Sequence, residues 1–282
     1  MNIRSALLLG IEKLSTEPIG PPRMAAEALL IHAVGRDRAF LHAHPEYELT
    51  QKEAREFHAA IAKRARGIPL QYITGHQEFW GLDFIVTPAV LIPRPETEHL
   101  LESALQLIRE SGIERPRIID VGTGSGCIIL SVAHDVKDAE LHAVDISNPA
   151  LQVARENAER LRLSDRVTFH EGDLLSSFLG APGYFDFVLS NPPYVGRSEA
   201  DKVQREVREH EPEVAVFGGE RGLDIYERLI PQAHQVLKPG GYLMLEIGYS
   251  IEEPVRHLLE AWKEVRAVPV LHGIPRVIMS RK

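Results

Sequence analysis

The stretch "FDFVLSNPPYVGR", residues 185–197, ends an apolar run with an amide, two prolines and an aromatic ring. Proline has no main-chain N–H and cannot continue the ladder of a central strand, so the predicted strand stops at about Ser190. The residues from Asn191 to Tyr194 then project from its carboxyl end, where ligands bind in open α/β sheets. The sequence therefore predicts a site here. The alternative is a turn that only ends the strand.

A second candidate site is the glycine-rich stretch "DVGTGSGCIIL", residues 120–130. Gly122, Gly124 and Gly126 let the backbone turn tightly and approach a ligand, and the helix after them offers free N–H groups. The next predicted strand ends in Asp145, about 20 residues downstream, where an acid can bind ribose hydroxyls. The third strand leads to Asp173, which is well placed for an adenine amino group. These features predict a nucleoside-containing cofactor, against the alternative of a tight turn without a ligand.

Other cofactor and metal sites fit the sequence poorly. The dinucleotide motif G-x-G-x-x-G fails in both frames, because Cys127 and Ile129 stand where its last glycine belongs. No Walker sequence with Lys and Ser or Thr is present, so nucleoside triphosphate hydrolysis is not expected. The 13 histidines are scattered along the chain. We therefore expect no metal site.

Strands and helices alternate from Arg117 onward, which is typical of a mostly parallel α/β sheet with helices on both faces. The closing strands "VRAVPVL" and "RVIMSRK" are separated only by "HGIP", too few residues for a crossover helix, so the last strand should run antiparallel. The predicted strands are 117–121, 141–146, 167–170, 185–190, 241–248, 265–271 and 276–282, and the predicted helices begin at 126, 149, 223 and 252.

The first 68 residues predict helices alone. Apolar residues recur at helical spacing from Ile3 to Leu14, a second helix ends at Gly35, and a short helix covers 38–42. The stretch "TQKEAREFHAAIAKRARG" begins with a capping box of Thr50 and Glu53 and ends at Gly67. Its cations Lys63, Arg64 and Arg66 could contact an anionic surface, but their position at a helix end favours an explanation by the helix dipole.

A change of composition follows this helical region. The segment "LQYITGHQEFWGLDFIVTP", residues 70–88, is rich in aromatic and β-branched residues and predicts a β-hairpin that turns at Gly81. The prolines of "LIPRPETEHL" then indicate a joint, with a helix that starts at 96–98. The predicted organisation is a helical domain (1–68) that docks the substrate, a hairpin and linker (69–95), and a catalytic α/β domain (96–282). The linker either borders the cofactor, through Arg94 and Glu96, or is only a stiff connection.

Composition limits the partners and the compartment. The net charge is -8, and no basic stripe is present, which argues against a partner bound mainly through phosphates. A single cysteine, Cys127, excludes an internal disulfide framework and fits a reducing compartment. The N-terminal apolar run is too short for a signal peptide or a membrane span. We expect a cytoplasmic protein, with a monomer as the default state.

The motifs together carry a family resemblance. In their order, "DVGTGSG", Asp145, Asp173 and "NPPY" resemble class I methyltransferases that use S-adenosylmethionine. More narrowly, "IPLQYITGHQEFWGLDFIVTPAVLIPRPETE" and "EPEVAVFGGERGLDIYERLI" resemble the HemK-type glutamine methyltransferases, which modify the side-chain amide in the GGQ motif of peptide chain release factors. The resemblance runs from about residue 67 to the end of the chain. It implies a Rossmann-like sheet, a release factor as partner, and a cofactor held by Gly122, Thr123, Gly124, Ser125, Gly126, Asp145, Asp173, Leu174 and Asn191.

Glutamine methylation gives the opening motif a chemical role. An amide nitrogen is a poor nucleophile, because its lone pair is delocalised into the carbonyl. If the side-chain oxygen of Asn191 and the main-chain carbonyl of Pro192 accept its two N–H bonds, they fix the amide and direct its lone pair at the methyl group. Pro193 stiffens the loop, and Tyr194 can cover the amide and face the sulfonium. Asn191, Pro192 and Tyr194 are therefore the predicted catalytic residues, and Pro193 joins them in binding substrate.

Two other functions and two other roles stay open. A nucleic-acid amino-methyltransferase would need the same acceptors, although the net acidity counts against it. A non-catalytic cofactor-binding adaptor would use the helical region as its working part. In "REVREHEPE" we expect His210 and Glu211 to lie on a solvated face. Glu246 ends a strand near the same edge as the predicted site, but an acid at a strand end often only caps the next helix, and we favour that role.

Overall fold

The computed structural model describes residues 1–17, 20–269 and 275–282. Positions 270–274, which hold the end of the predicted strand "VRAVPVL" and most of the predicted turn "HGIP", lie outside the described residues. The chain forms two compact units, Met1–His76 with Gln204–His210, and Gln77–Val203 with Glu211–Lys282. In the described part of the chain no helix is both long and apolar enough to cross a bilayer.

The α-helices and strands of the described residues follow the predicted order, apart from three short helices that were not predicted, Leu70–Thr74, Arg205–His210 and Glu213–Val216. The helices are α1 (Ile3–Leu14), α2 (Pro22–Val34), α3 (Arg38–Ala43), α4 (Gln51–Ala65), α5 (Leu70–Thr74), α6 (Thr97–Ser111), α7 (Cys127–Asp135), α8 (Asn148–Arg160), α9 (Arg205–His210), α10 (Glu213–Val216), α11 (Asp224–Val236) and α12 (Glu252–Leu258). The strands are β1 (His76–Phe79), β2 (Leu82–Ile85), β3 (Arg117–Val121), β4 (Glu140–Asp145), β5 (Val167–Glu171), β6 (Phe185–Ser190), β7 (Leu237–Glu246), β8 (Lys263–Pro269) and β9 (Pro275–Arg281).

The first unit is helical, as predicted. The capping box of α4 is present, with the Glu53 N–H donating to Thr50 Oγ1 at 3.2 Å and the Thr50 N–H donating to Glu53 Oε2 at 2.7 Å. Helices α1, α2 and α4 bury their apolar faces against each other in one core. A Cβ at Gly10 would lie 2.9 Å from the Phe57 ring, so this glycine lets α1 approach α4 closely.

The prediction of a hairpin over 70–88 is wrong for its first residues. Leu70–Thr74 forms α5, and only His76–Phe79 and Leu82–Ile85 form the hairpin. Leu70 and Ile73 pack against the helical core, so burial overrides the strand preference of "YIT". Gly75, at a φ of +82°, ends α5. The predicted turn at Gly81 is confirmed.

Arg64 corrects the explanation given for the basic end of α4. Its side chain is 6% exposed, and its guanidinium donates to both carboxylate oxygens of Glu206, at 2.6 and 3.1 Å. It also donates to the main-chain oxygen of Ile68 at 2.9 Å. A buried guanidinium needs a paired carboxylate far more than it needs a helix dipole. This ion pair holds α9 within the helical unit, although 142 positions separate the two residues.

The second unit is built on a sheet whose described strands run in the order β5-β4-β3-β6-β7-β9-β8. Strands β3 to β7 pair in parallel, and β9 runs antiparallel to both β7 and β8, as predicted. Val121 lies opposite both Val144 and Ser190, so the carboxyl ends of β3, β4 and β6 reach one edge together. The glycine-rich turn, Asp145 and Asn191 follow directly from these three ends.

Asn157 on α8 supports the glycine-rich turn from behind. Its side chain is fully buried, and Nδ2 donates to Ser125 O at 2.9 Å and to Ile85 O at 3.0 Å. Its Oδ1 accepts the Ile85 N–H at 2.7 Å. One amide therefore fixes the hairpin and the turn to the same helix.

We expect Asn157→Ala to lower the free energy of unfolding by about 3 kcal/mol, because it leaves three buried or partly buried main-chain groups without partners. Urea unfolding followed by circular dichroism measures this change. Gln152→Ala, at an exposed position on the same helix, is the matched control and should stay within about 0.5 kcal/mol of the parent. Equal midpoints for the two variants would contradict the structural role of Asn157.

Candidate active site

A cavity of about 280 Å³ lies at the carboxyl edge of the sheet. It is enclosed by the ends of β3, β4 and β6, the linker before α6, and the segment that includes α10. Most of the predicted site residues line it: Gly122, Thr123, Gly124, Ser125, Asp145, Asp173, Leu174, Asn191, Pro192 and Pro193.

The glycine-rich turn presents an open backbone to this cavity. Gly124 has a φ of +55°, and a Cβ there would meet nothing within 4 Å. The N–H groups of Gly122 and Thr123 both donate to Val144 O, at 2.8 and 3.1 Å, which fixes the turn against β4. Gly126 lies behind the turn and not in the cavity wall, since a Cβ there would meet Leu130 Cδ1 at 3.0 Å.

Asp120 lies beneath the turn and was not singled out in the sequence. It is fully buried, and its Oδ2 accepts the Thr123 hydroxyl at 2.7 Å. Burial raises its pKa to about 7, while the Thr123 hydrogen bond lowers it. An acid inside the apolar run "RIIDV" is the signal that could have revealed it. Asp120 therefore holds the Thr123 side chain in place at the cavity wall.

Asp145, the predicted ligand of ribose hydroxyls, ends β4 and lines the cavity. It is buried, with Oδ2 accepting the Gly124 N–H at 2.8 Å and Oδ1 accepting the Ser147 N–H at 2.9 Å. Burial raises its pKa, and these N–H groups act in the opposite direction. A carboxylate oxygen can accept two hydrogen bonds, so each oxygen of Asp145 can also accept one from a hydroxyl group in the cavity.

Asp173 and Leu174 form the next part of the wall. Asp173 makes an ion pair with Arg228 of α11, and both side chains are about half exposed. Leu174 has a φ of +53°, a left-handed conformation that is unusual for leucine and costs energy. The pairing with Arg228 limits the orientations of the Asp173 carboxylate at the cavity.

The Asn191–Tyr194 loop is fixed by a second loop, residues 216–222. The Val195 N–H donates to Val216 O at 3.1 Å, and the Gly218 N–H donates to Val195 O at 3.0 Å. A Cβ at Gly222 would lie 2.2 Å from Tyr194 O, and Gly222 has a φ of +76°, so only glycine fits this approach. The loop is therefore held rigidly without a continuing strand.

Tyr194 is the one predicted catalytic residue that does not line the cavity. Its ring packs against the apolar cluster beneath the sheet edge, and a Cβ at Gly248 would meet the ring at 2.8 Å. Burial raises the pKa of its hydroxyl to about 12, so the phenol stays protonated at neutral pH. Its predicted contact with the sulfonium stays a prediction.

The linker residues Arg94 and Glu96 differ in their positions. Arg94 lines the cavity and makes an ion pair with Glu211, whereas Glu96 is exposed where α6 begins and does not line it. Glu211 is 6% exposed and also accepts the Ile92 N–H at 3.1 Å. The prediction that Glu211 lies on a solvated face is therefore wrong. A buried carboxylate was needed to hold a linker whose prolines leave few N–H donors.

A polar chain leads from Asn191 into the protein interior. Asn191 Nδ2 donates to Thr97 Oγ1 at 3.1 Å, and the Thr97 side chain is hydrogen-bonded to the Glu246 carboxyl group. Glu246 is 1% exposed. The prediction that it caps the next helix is wrong, because α12 has no side-chain hydrogen bond at its N-cap. Pairing across 94 positions left no local signal in the sequence.

Metal and thiol chemistry find no support at this cavity. Among the described residues no group of three or more His, Cys, Asp or Glu side chains could hold a metal ion. Cys127 borders the cavity, but burial raises the pKa of its thiol to about 12, so it is no nucleophile at neutral pH.

Comparison with known proteins decides the family. Residues 5–75 match the model of the PrmC N-terminal domain, and residues 114–272 match a methyltransferase domain. The release factor glutamine methyltransferase of Koribacter versatilis is 50% identical over 100% of this chain and 99% of its own. That of Moorella thermoacetica is 44% identical over 99% and 98%. The chain belongs to the release factor glutamine methyltransferase family.

This membership confirms the resemblance drawn from the motifs and the predicted enzyme class, an S-adenosylmethionine-dependent methyltransferase. The structure of the human methyltransferase 10 domain containing protein agrees in fold. It is 20% identical, covers 78% of this chain and 94% of its own, and has a TM-score of 0.52. The predicted Rossmann-like sheet is confirmed.

We expect Asp145→Ala to weaken S-adenosylmethionine binding by about 2–3 kcal/mol, because two charge-assisted hydrogen bonds to the ribose are lost. Isothermal titration calorimetry measures the change in Kd. Asp138→Ala removes an exposed acid before β4 and should leave the Kd unchanged. An Asp145→Ala affinity equal to that of the parent would show that the ribose does not bind here.

Proposed function

We propose that this enzyme transfers a methyl group from S-adenosylmethionine to the side-chain nitrogen of the glutamine in the GGQ motif of peptide chain release factors. The observation that carries the proposal is the position of Asn191 and Pro192 in the wall of the cavity that the glycine-rich turn and Asp145 also line. The full-length relatives that bear this activity in their names support it.

The residues of the cavity fit S-adenosylmethionine. The open backbone at Gly124 leaves room for the methionine part of the cofactor, and the Asp145 carboxylate suits the ribose. Asp173 and Leu174 lie where the adenine would be held. The cofactor supplies an electrophilic methyl group on a sulfonium.

Asn191 and Pro192 perform the part of the reaction that the protein must supply. Asn191 Oδ1 and the Pro192 carbonyl accept the two N–H bonds of the substrate amide, so its plane and its lone pair are aligned with the methyl group. Neither proline of the loop has an N–H that could compete for these acceptors. Orientation replaces a strong base, and one N–H proton passes to solvent as the amide nitrogen gains the methyl group.

The helical unit recognises the folded release factor. Leu8 on α1 and Met24 on α2 are 63% and 67% exposed, so both apolar side chains are accessible to a protein partner. Because release factors act on ribosomes, the reaction takes place in the cytoplasm, and a monomer suffices for it.

Asn191→Ala should lower methyl transfer to release factor by roughly a hundredfold or more, as for the loss of one preorganised polar contact. S-adenosylmethionine affinity should change far less. Transfer of labelled methyl groups is measured on release factor, RNA and DNA in parallel. The exposed substitution Asn148→Ala on α8 is the control. Methylation of RNA or DNA in place of release factor would overturn the proposal.

Leu8→Ser combined with Met24→Ser should lower kcat/KM on the folded release factor by about tenfold, because two apolar anchors are lost. The same variant should act normally on a short glutamine-containing peptide, which reaches only the cavity. Gln51→Ala, at an exposed polar position of the same unit, is the control. An equal loss on protein and peptide would show that the helices support the enzyme without recognising its partner.

A further inference from the structure

The side-chain amide of Asn191 has two ends with opposite hydrogen-bonding character. Its oxygen accepts, and its nitrogen donates two hydrogen bonds. The proposed reaction needs the oxygen in the cavity, because the nitrogen end of the substrate amide, which receives the methyl group, offers only N–H donors. A rotation of the amide by half a turn would face donors with donors and would prevent productive binding.

Thr97 contacts the nitrogen end of this amide. Asn191 Nδ2 donates to Thr97 Oγ1 at 3.1 Å, and Thr97 is buried. Its hydroxyl has one hydrogen to donate and lone pairs to accept with. If the Thr97 hydroxyl donates its hydrogen to another group, its oxygen can only accept a hydrogen bond from Asn191. Only the nitrogen end of the Asn191 amide can then donate to it.

Glu246 is the group that takes the Thr97 hydrogen. It lies at the end of β7 and directly follows Leu245, which pairs with Ser190, the residue before Asn191. Thr97 is hydrogen-bonded to its carboxyl group, and an ionised carboxylate accepts and never donates. Its Oε2 is buried without a hydrogen-bond partner among the described residues. A buried carboxylate oxygen without a partner costs free energy, so its presence here needs an explanation.

We propose that Glu246 and Thr97 are positioning residues that fix which end of the Asn191 amide faces the substrate. The inference rests on the proposed function of Asn191. The carboxylate sets the direction of the Thr97 hydroxyl, and the hydroxyl sets the direction of the amide. Glu246, which is separated from the substrate by Thr97 and Asn191, therefore determines that the oxygen of the Asn191 amide faces the substrate.

Protonation of Glu246 would reverse this selection. A protonated carboxyl group can donate to Thr97 Oγ1, which frees the Thr97 hydrogen for the oxygen end of Asn191. Burial raises the pKa of Glu246 to about 7, while Thr97 lowers it. The ionised, productive form is thus gained as the pH rises through about 7 and lost as the pH falls below it.

Several charged and titratable groups surround Glu246. Arg276 of β9 and Arg94 of the linker favour its ionised form, and Glu96 opposes it. The hydroxyl-bearing rings and the thiol that interact with it keep their protons at neutral pH: Tyr194, Tyr226 and Cys127. Asp120 is the competing candidate for a titration near pH 7, because burial raises its pKa to a similar value.

The first test is the pH dependence of methyl transfer to release factor. We expect kcat to fall on the acid side of about pH 7 in the parent, and this limb to disappear in Glu246→Gln, whose uncharged amide cannot titrate. Glu102→Gln, at an exposed position on α6, should keep the limb. A limb that persists unchanged in Glu246→Gln would assign the titration to another group, such as Asp120, and overturn the proposal.

The second test separates positioning from binding. Thr97→Val removes the hydroxyl and should lower kcat by about tenfold, with KM and S-adenosylmethionine affinity nearly unchanged, because only the orientation of one group is lost. Thr97→Ser restores the hydroxyl and should recover most of kcat. Parent-like kcat in Thr97→Val would overturn the proposal. The proposed function would still stand if Asn191→Ala lowers methyl transfer to release factor.

The third test needs no turnover and therefore remains informative if the proposed substrate is wrong. In protein labelled with 15N, the Asn191 Nδ2 protons are observed by NMR and assigned by their loss in Asn191→Asp. We expect their shifts to titrate near pH 7 in the parent and to become independent of pH in Glu246→Gln. Shifts that do not change across this range in the parent would show that Glu246 does not control the amide.

Discussion

The site depends on one constraint, which is that strand β6 cannot continue past Ser190. Two prolines after Asn191 cannot donate to a neighbouring strand, so the chain leaves the sheet at its carboxyl edge and must be held by other means. Residues 216–222 provide them, through the hydrogen bonds of Val195 and the contact at Gly222. Because the loop is fixed by main-chain packing, the Asn191 side chain and the Pro192 carbonyl remain available to a ligand.

Buried acids surround this loop, and each has a different task. Asp145 holds the glycine-rich turn open, Glu211 holds the linker, and Glu246 lies behind Thr97. All three carboxyl groups interact with segments that border the cavity. Since a buried carboxylate is costly unless its hydrogen bonds are satisfied, Asp145 and Glu211 fix the segments that donate to them. Hydrogen bonds and ion pairs of buried carboxyl groups therefore shape the cavity together with apolar packing.

The features predicted from sequence were those whose cause is local. A glycine-rich turn, an acid at a strand end and an N-P-P run each follow a strand directly, and the parallel register brings them together. The roles of Glu211, Thr97 and Glu246 depend on partners far along the chain, so no local pattern revealed them. Residues 70–74 were assigned to a strand because their β-branched composition is local information, whereas their packing on the helical core is not. Tyr194 was expected at the cavity from its neighbours alone, yet its ring packs into the apolar cluster.

The ion pair between Arg64 and Glu206 also concerns the order in which the protein is made. The helices up to α5 emerge first from the ribosome, but the carboxylate that pairs with the buried Arg64 lies 142 positions later. At ordinary rates of synthesis this interval is roughly 7–28 s, far longer than helices need to form. During it the Arg64 guanidinium has no Glu206 to bind and must remain hydrated. The helical unit therefore completes its packing only after strands β3 to β6 have been translated. The segment that is synthesised first thus reaches its final structure late.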